Sequence, residues 1–182
     1  IQADTVAKFA QTVADGTYAA AALTFTPPEP FGYGRIQLDD SGAIERIIEQ
    51  KDCTPQQSAE LLECNAGCYA FDGGQLAAHI EEIGCDNAQN EYYLPDMLEI
   101  LKSAGQQVTI FHCEDYRDGL GVNSRAQLAE ITAIARDRIN AHWMAEGVTF
   151  IDPAQAWIGP DAVIGRDTVV WPQTHLIGST TV

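Results

Sequence analysis

Basic residues are scarce in this sequence. Ten lysines and arginines stand against twenty-six aspartates and glutamates, a formal charge of −16. Such a surface repels nucleic acid and anionic membrane, which argues against both as partners. It also gives no long-range pull on a phosphorylated ligand, so an anionic ligand must be held by a metal ion or by local amides. No apolar run reaches the roughly 20 residues of a membrane span. No signal peptide is present, and the chain begins at Ile1 rather than Met, so it is read as starting inside a longer protein.

Close cysteine pairs are missing too. Cys53, Cys64, Cys68, Cys85 and Cys113 make an odd count without a CxxC, which argues against zinc and against a disulfide framework. Cys64 and Cys68 fall in one predicted strand, about 13 Å apart if it runs straight, past the limit of about 7 Å for a disulfide. Free thiols in a reducing cytoplasm are the expectation. The four histidines have no spacing that suggests a metal site or a triad.

What is present suits a globular α/β chain. With 46% hydrophobic residues over 182 positions, it can bury one full domain, or one and part of another. Val6, Phe9, Ala10 and Val13 mark a short amphipathic helix stopped at Gly16. "YAAAALTF" reads as a buried strand ended by Pro27 and Pro28. "RIQL", the turn "DDSG" and "AIERIIE" read as a hairpin. "CNAGCYAF" and "QVTIFHC" are further strands. Leu76, Ala77, Ile80 and Ile83 mark one helix, and Leu94, Met97, Leu98 and Leu101 another. Leu128, Ile131, Ala135, Ile139 and Trp143 stripe a long helix ending by Gly147. Strands alternating with helices over residues 1 to about 146 predict an α/β domain with a largely parallel or mixed sheet, whose ligands sit beyond the carboxyl ends of strands.

The tail differs. Ile158, Ile164, Val170, Leu176 and Val182 recur every six residues, with Ala162, Thr168, Thr174 and Thr180 in the same rhythm. Neither a helix nor a single strand has that period. A parallel β-helix of hexapeptides does, one aliphatic per short strand pointing inward.

Several motifs admit two readings. In "EPFGYGRI", Gly32 and Gly34 leave the backbone bare around Tyr33, either as a hairpin turn or because a ligand lies against it. Glu49 is an acceptor for ligand hydroxyls or an edge carboxylate paired with Lys51 or Arg46. Asn65 sits in an apolar strand, and its amide needs a ligand or neighbouring backbone to satisfy it. Glu91, Tyr92 and Tyr93 in "NEYYLPD" form a flap, or cap a helix with aromatic packing. Asn123 in "GLGVNSR" follows two glycines and opens the long helix, where Asn is a favoured N-cap.

The order of these parts, with "GYGRI" at 32–36, "IIEQKDCT" at 47–54, "ECNAGCYAF" at 63–71, "NAQNEYYLPD" at 87–96 and "GVNSRAQLAEI" at 121–131, resembles the bifunctional N-acetylglucosamine-1-phosphate uridylyltransferase / glucosamine-1-phosphate N-acetyltransferase family. The resemblance implies part of a Rossmann-like nucleotide-sugar transferase domain with a mixed sheet over 1–123, a connecting helix over 124–147 and the start of a left-handed parallel β-helix over 148–182. It implies an enzyme that makes UDP-N-acetylglucosamine for cell-wall precursors from UTP and N-acetylglucosamine 1-phosphate, with Mg2+.

In that family Gly34, Glu49 and Asn65 match sugar-binding positions, over which Glu91 and Tyr93 are expected to close, and Asn123 matches a position that binds magnesium and the nucleotide sugar. The family's glycine-rich nucleotide loop with its basic residue has no counterpart in these residues, so the chain alone is expected to be inactive. The family also implies cytoplasmic localisation, a homotrimer and an acetyl-CoA site further along. The alternatives are another sugar-1-phosphate nucleotidyltransferase with a C-terminal β-helix, such as a glucose-1-phosphate adenylyltransferase, or a non-catalytic scaffold.

Overall fold

The computed structural model describes residues 1–39, 42–85 and 90–182, so Asp40 and Ser41 of the expected hairpin turn and residues 86–89 lie outside the described residues. The chain divides into two compact units, Ile1–Leu120 and Gly121–Val182.

The alanine-rich run is the axis of the first unit. Strand β1 (Ala20–Phe25) is buried at every residue. It lies between β4 (Cys64–Phe71), antiparallel to it, and β5 (Val108–His112), parallel to it. The antiparallel hairpin of β2 (Arg35–Leu38) and β3 (Ile44–Ile48) extends the sheet, giving the order β3-β2-β4-β1-β5. The sheet is mixed, with β1–β5 its parallel pair.

Side chains alternate across a strand, and β1 serves two cores. Ala20 and Ala22 face a cluster with Ile36, Ile44, Ile83 and Val108, together with Met97, Leu98 and Leu101 of helix α4 (Asp96–Ser103). Ala21, Leu23 and Phe25 face Cys64, Cys113 and Phe9 of helix α1 (Ala3–Ala14). Small β1 side chains leave room for the large ones coming from either side. Each fully buried aliphatic or phenyl group contributes about 1.5–3 kcal/mol.

Two helices differ from expectation. The helix at Leu76 ends at His79 and tightens to a 3-10 turn over Ile80–Glu82, so Ile83 lies beyond it. Leu94 precedes α4 and is exposed. An unexpected helix, α2 (Pro55–Glu60), opens on a reciprocal cap: Thr54 Oγ1 accepts from Gln57 N–H, and Gln57 Oε1 accepts from Thr54 N–H.

The β1–β4 ladder is interrupted. Pairing jumps from Ala22↔Tyr69 to Thr24↔Asn65, so residues 66–68 stand opposite Leu23 alone. Gly67 takes φ +72°, which only glycine adopts at little cost. This bulge corrects the assumption of a straight strand between Cys64 and Cys68. All five cysteines are free thiols. Burial pushes the Cys113 thiol up to about 11 and raises that of Cys64, so neither is a ready thiolate.

In the second unit, helix α5 (Arg125–Ala145) starts at Ser124, whose hydroxyl accepts from Gln127 N–H. The expected apolar stripe is partial: Leu128 and Ala135 are exposed, whereas Ile139 and Trp143 pack on a cluster of Val148, Ala156, Ile158, Ala162, Ile164 and Val170. Short strands pair in parallel, β6 (Thr149–Phe150) with β8 (Val169–Val170), and β7 (Trp157–Ile158) with β9 (His175–Leu176). The β7–β9 register spans three hexads, as does the bridge Val163↔Thr181. The six-residue aliphatics Ile158, Ile164 and Val170 are buried, Leu176 is half-buried and Val182 is exposed. Among the described residues no helix is long and apolar enough to cross a membrane.

Candidate functional site

Three of the residues singled out in the sequence meet where β2, β3 and β4 come together. Gly34 immediately precedes β2, and its carbonyl accepts from the Asn65 N–H at 2.8 Å. Glu49 immediately follows β3. A Cβ placed on Gly34 would stand 3.5 Å from Glu49 Oε1 and 3.4 Å from Ile47 Cγ2. These are ordinary contacts and the Gly34 φ is not positive, so the fold itself does not require a bare backbone there. Gly32 differs: its φ of +91° restricts it to glycine. Between them, the Tyr33 ring packs edge-on against Phe25, centroids 4.9 Å apart.

Glu49 is exposed, and its carboxylate has no hydrogen-bond or ion-pair partner among the described residues. The expected alternative, pairing with Arg46, is not what forms: Arg46 Nε donates to Gln37 Oε1 at 3.0 Å. Asn65 is half-buried at the bulge. Its Oδ1 accepts from Gly67 N–H at 3.0 Å and its Nδ2 donates to the Tyr69 hydroxyl at 2.7 Å. Protein therefore satisfies one bond at each end of the amide, leaving one N–H and one lone pair. Tyr69 is an addition that the sequence reading missed. Burial, reinforced by the nearby Glu49 charge, pushes its phenol up to about 12.

Glu91 and Tyr93 are hydrogen-bonded to each other. Partial desolvation and then the Glu91 carboxylate raise the Tyr93 phenol, with a smaller effect from Glu49 that puts the pair within electrostatic reach of the site. Tyr92 is exposed. The segment does not cap α4 with a side chain; Pro95 stands at the cap without such a bond.

Asn123 lies in the second unit. It is not the cap of α5, which is Ser124; its backbone N–H donates to Gln127 Oε1 at 2.7 Å. The exposed Asn123 side chain has no partner among the described residues, and among them no cluster of three His, Cys, Asp or Glu could hold a metal.

Two more residues organise the loop. Arg35 is 2% exposed, with Nη1 donating to the Tyr33 carbonyl and to Cys64 Sγ, and Nη2 to Gln50 Oε1 at 2.9 Å. Gln50 Oε1 also accepts from Gly32 N–H at 3.2 Å. An arginine inside the apolar "RIQL" strand was the available signal for a buried polar junction; its partner fifteen residues away was not readable.

No protein-family model matches the chain. Among curated proteins it is similar to the "Bifunctional protein GlmU" of several bacteria. It is 45% identical to that of Halalkalibacterium halodurans over 90% of this chain and 36% of that protein. It is 50% identical to that of Lactobacillus delbrueckii subsp. bulgaricus over 84% of this chain and 33% of that protein. With that of Exiguobacterium sibiricum it shares 39% identity over 100% of this chain and 40% of that protein. The chain thus spans between a third and two fifths of the length of the curated relatives it matches. Among solved structures, a CMP:2-keto-3-deoxy-manno-octonic acid synthetase complexed with CTP matches 76% of this chain and 58% of its own, with a TM-score of 0.51 and 16% identity. That likeness shows that the two chains share a mixed α/β fold.

Proposed function

Because the chain belongs to the bifunctional GlmU family over the stretch it shares with those proteins, we propose that it carries the sugar-binding part of an enzyme joining UTP to N-acetylglucosamine 1-phosphate. The convergence of Gly34, Glu49 and Asn65 carries this reading. Gly34 leaves space for the sugar, Glu49 accepts from its hydroxyls, and the remaining Asn65 N–H and lone pair complete its polar contacts. Glu91 and Tyr93 cover it. An ionised phosphate oxygen of the sugar phosphate attacks the α-phosphorus of UTP, the bond to the bridging oxygen breaks, and pyrophosphate leaves. The nucleophile is ionised at neutral pH and needs no general base, so these side chains act by positioning.

The metal we assign is Mg2+. The exposed Asn123 amide oxygen suits a hard cation that also takes water and phosphate oxygens, and one such neutral ligand holds it only together with others. When bound, the ion neutralises phosphate charge.

We assign residues 1–123 to the sugar-binding part, 124–147 to a connecting helix and 148–182 to the start of a left-handed β-helix. The six-residue rhythm and the parallel pairs three hexads apart support the last. Acetyl-CoA as a substrate, a homotrimer and a cytoplasmic location belong to the same reading for the longer protein.

Titrating the whole chain with UDP-N-acetylglucosamine by NMR tests it. Amides of Gly34, Glu49 and Asn65 are expected to shift. Glu49→Gln should weaken binding by about 1.5–3 kcal/mol, the range for hydrogen bonds to charged groups, without changing the melting temperature. Gly34→Ala should also weaken binding while leaving stability equal or slightly higher. Unshifted site amides in the wild-type chain would sink the reading. ADP-glucose binding better than UDP-N-acetylglucosamine would favour the adenylyltransferase alternative, and silence toward both would favour a scaffold. Incubated with UTP and the sugar phosphate, the chain alone should release no pyrophosphate.

A further inference from the structure

We infer that Gln50, acting with the buried Arg35, is a positioning residue that fixes the Gly32–Gly34 loop in the shape the sugar requires. The inference rests on the sugar-site reading and gives it a cause for loop order.

Arg35 is an unusual core residue. It is almost fully buried, its hydrogen-bond acceptors are a carbonyl, an amide oxygen and a thiol sulfur, and its Nε has no partner among the described residues. No carboxylate among those residues forms an ion pair with it. Burying a guanidinium without a counter-charge is unfavourable, and for stability alone an apolar side chain of similar volume does as well or better. What an apolar side chain lacks is the ability to hold several acceptors at fixed angles.

Here two of those acceptors belong to the loop and to the turn after β3, and the third, the Cys64 sulfur, to the start of β4. Arg35 holds the Tyr33 carbonyl directly and orients Gln50 Oε1. That one oxygen also accepts from the Gly32 N–H. The loop is thus tied on both sides of the Gly32–Tyr33 peptide, while Asn65 N–H holds the Gly34 carbonyl beyond it. Two glycines around one tyrosine make a segment with more backbone freedom than other residues allow, and the ties remove it before any ligand arrives. Gln50 directly follows Glu49, so the same clamp sets the acceptor carboxylate relative to Gly34. Preorganisation of this kind raises affinity by lowering the ordering cost of binding. Gln50 touches no ligand in this account and acts through the loop.

The test measures backbone amide order parameters of Gly32, Tyr33 and Gly34 in the whole chain, for the wild type, Gln50→Ala and Gln50→Glu. Rigid backbone gives about 0.85 and flexible backbone below about 0.6. The wild type and Gln50→Glu, which keeps an acceptor oxygen, are expected near the rigid value, and Gln50→Ala near the flexible one. Amides of β1 should be unchanged in all three. Gln50→Met, similar in length but without the oxygen, replaces Gln50→Ala should that variant misfold. UDP-N-acetylglucosamine should bind Gln50→Ala about tenfold more weakly, the effect of losing a hydrogen bond or two.

A loop equally ordered in wild type and Gln50→Ala overturns the inference. So does a loop disordered in Gln50→Glu as well, or undiminished affinity in Gln50→Ala. A wild-type chain that binds no sugar nucleotide overturns the sugar-site reading instead, and the order parameters still decide the clamp.

Discussion

The two units solve the same problem with different means. In Ile1–Leu120, β1 pairs on both edges and buries both faces, so ladder hydrogen bonds and apolar burial reinforce each other in one element. In Gly121–Val182 the strands are two residues long, and one cluster beside α5 supplies the core. Polar side chains take up what the short ladders leave. Asn140, 1% exposed, donates to the carbonyls of Pro153 and Ala156 at 2.8 and 3.0 Å. Arg136 donates to the Ala154 carbonyl at 2.7 Å and lies over the Trp157 ring at 5.1 Å. Where regular pairing is long, apolar volume decides stability; where it is short, a few specific side-chain bonds do.

That contrast can be broken by mutation. Leu101→Ala, at a fully buried position of the first core, is expected to cost about 2–5 kcal/mol, read as lost amide protection in β1 and β5. A loss under about 1 kcal/mol would mean the core relaxes around the cavity.

Asn140→Ala should cost about 2 kcal/mol, because it deprives buried carbonyls of a donor. Asn140→Asp should cost more, since a carboxylate would then face those oxygens. Denaturant unfolding followed through the second unit's tryptophans checks both, and equal stability in the three proteins would show that the cluster alone holds this unit.

Tyr69 sharpens the comparison from the polar side of the first unit. Its folded pKa of about 12 lies above the ordinary 10. The neutral phenol is the form favoured by folding, so its contribution is complete below pH 10 and is lost as pH rises through 12. Tyr69→Phe should remove from that alkaline loss on the order of 1–2 kcal/mol, measured as a flatter dependence of the unfolding midpoint on pH.

Leu128→Ala should change little, under about 0.5 kcal/mol, because that side chain is 51% exposed despite its place in the helical stripe.

The sequence made some parts of this legible and hid others, for physical reasons. Local signals worked: β1 was readable from an uninterrupted apolar run, α4 from the spacing of Met97, Leu98 and Leu101. The cap "TPQQ" of α2 was equally local and was overlooked. At α5, Asn123 and Ser124 are both good caps, and the Gln three residues after Ser124 was the deciding signal. The bulge at 66–68 was hidden because it is a property of a pair of strands, and Asn65 with Gly67 only hints at it. The Arg35–Gln50 contact joins β2 to the 3-10 turn that follows β3, so no local pattern specifies it. Gly34, Glu49 and Asn65 were singled out through family resemblance; chain periodicity alone does not bring them together.

The thiols offer a built-in reading of how the sheet comes apart. Cys113 follows β5 at the sheet edge, whereas Cys64 starts β4 in its interior, and both are sealed into the same cluster. With their pKa values raised by burial, each reacts with an alkylating reagent only after its surroundings open. Release of the edge strand exposes Cys113, but Cys64 waits for β4 to part from two neighbours. The ratio of their labelling rates therefore converts directly into the free-energy gap between peeling one strand and opening the sheet, without introducing any probe into the protein.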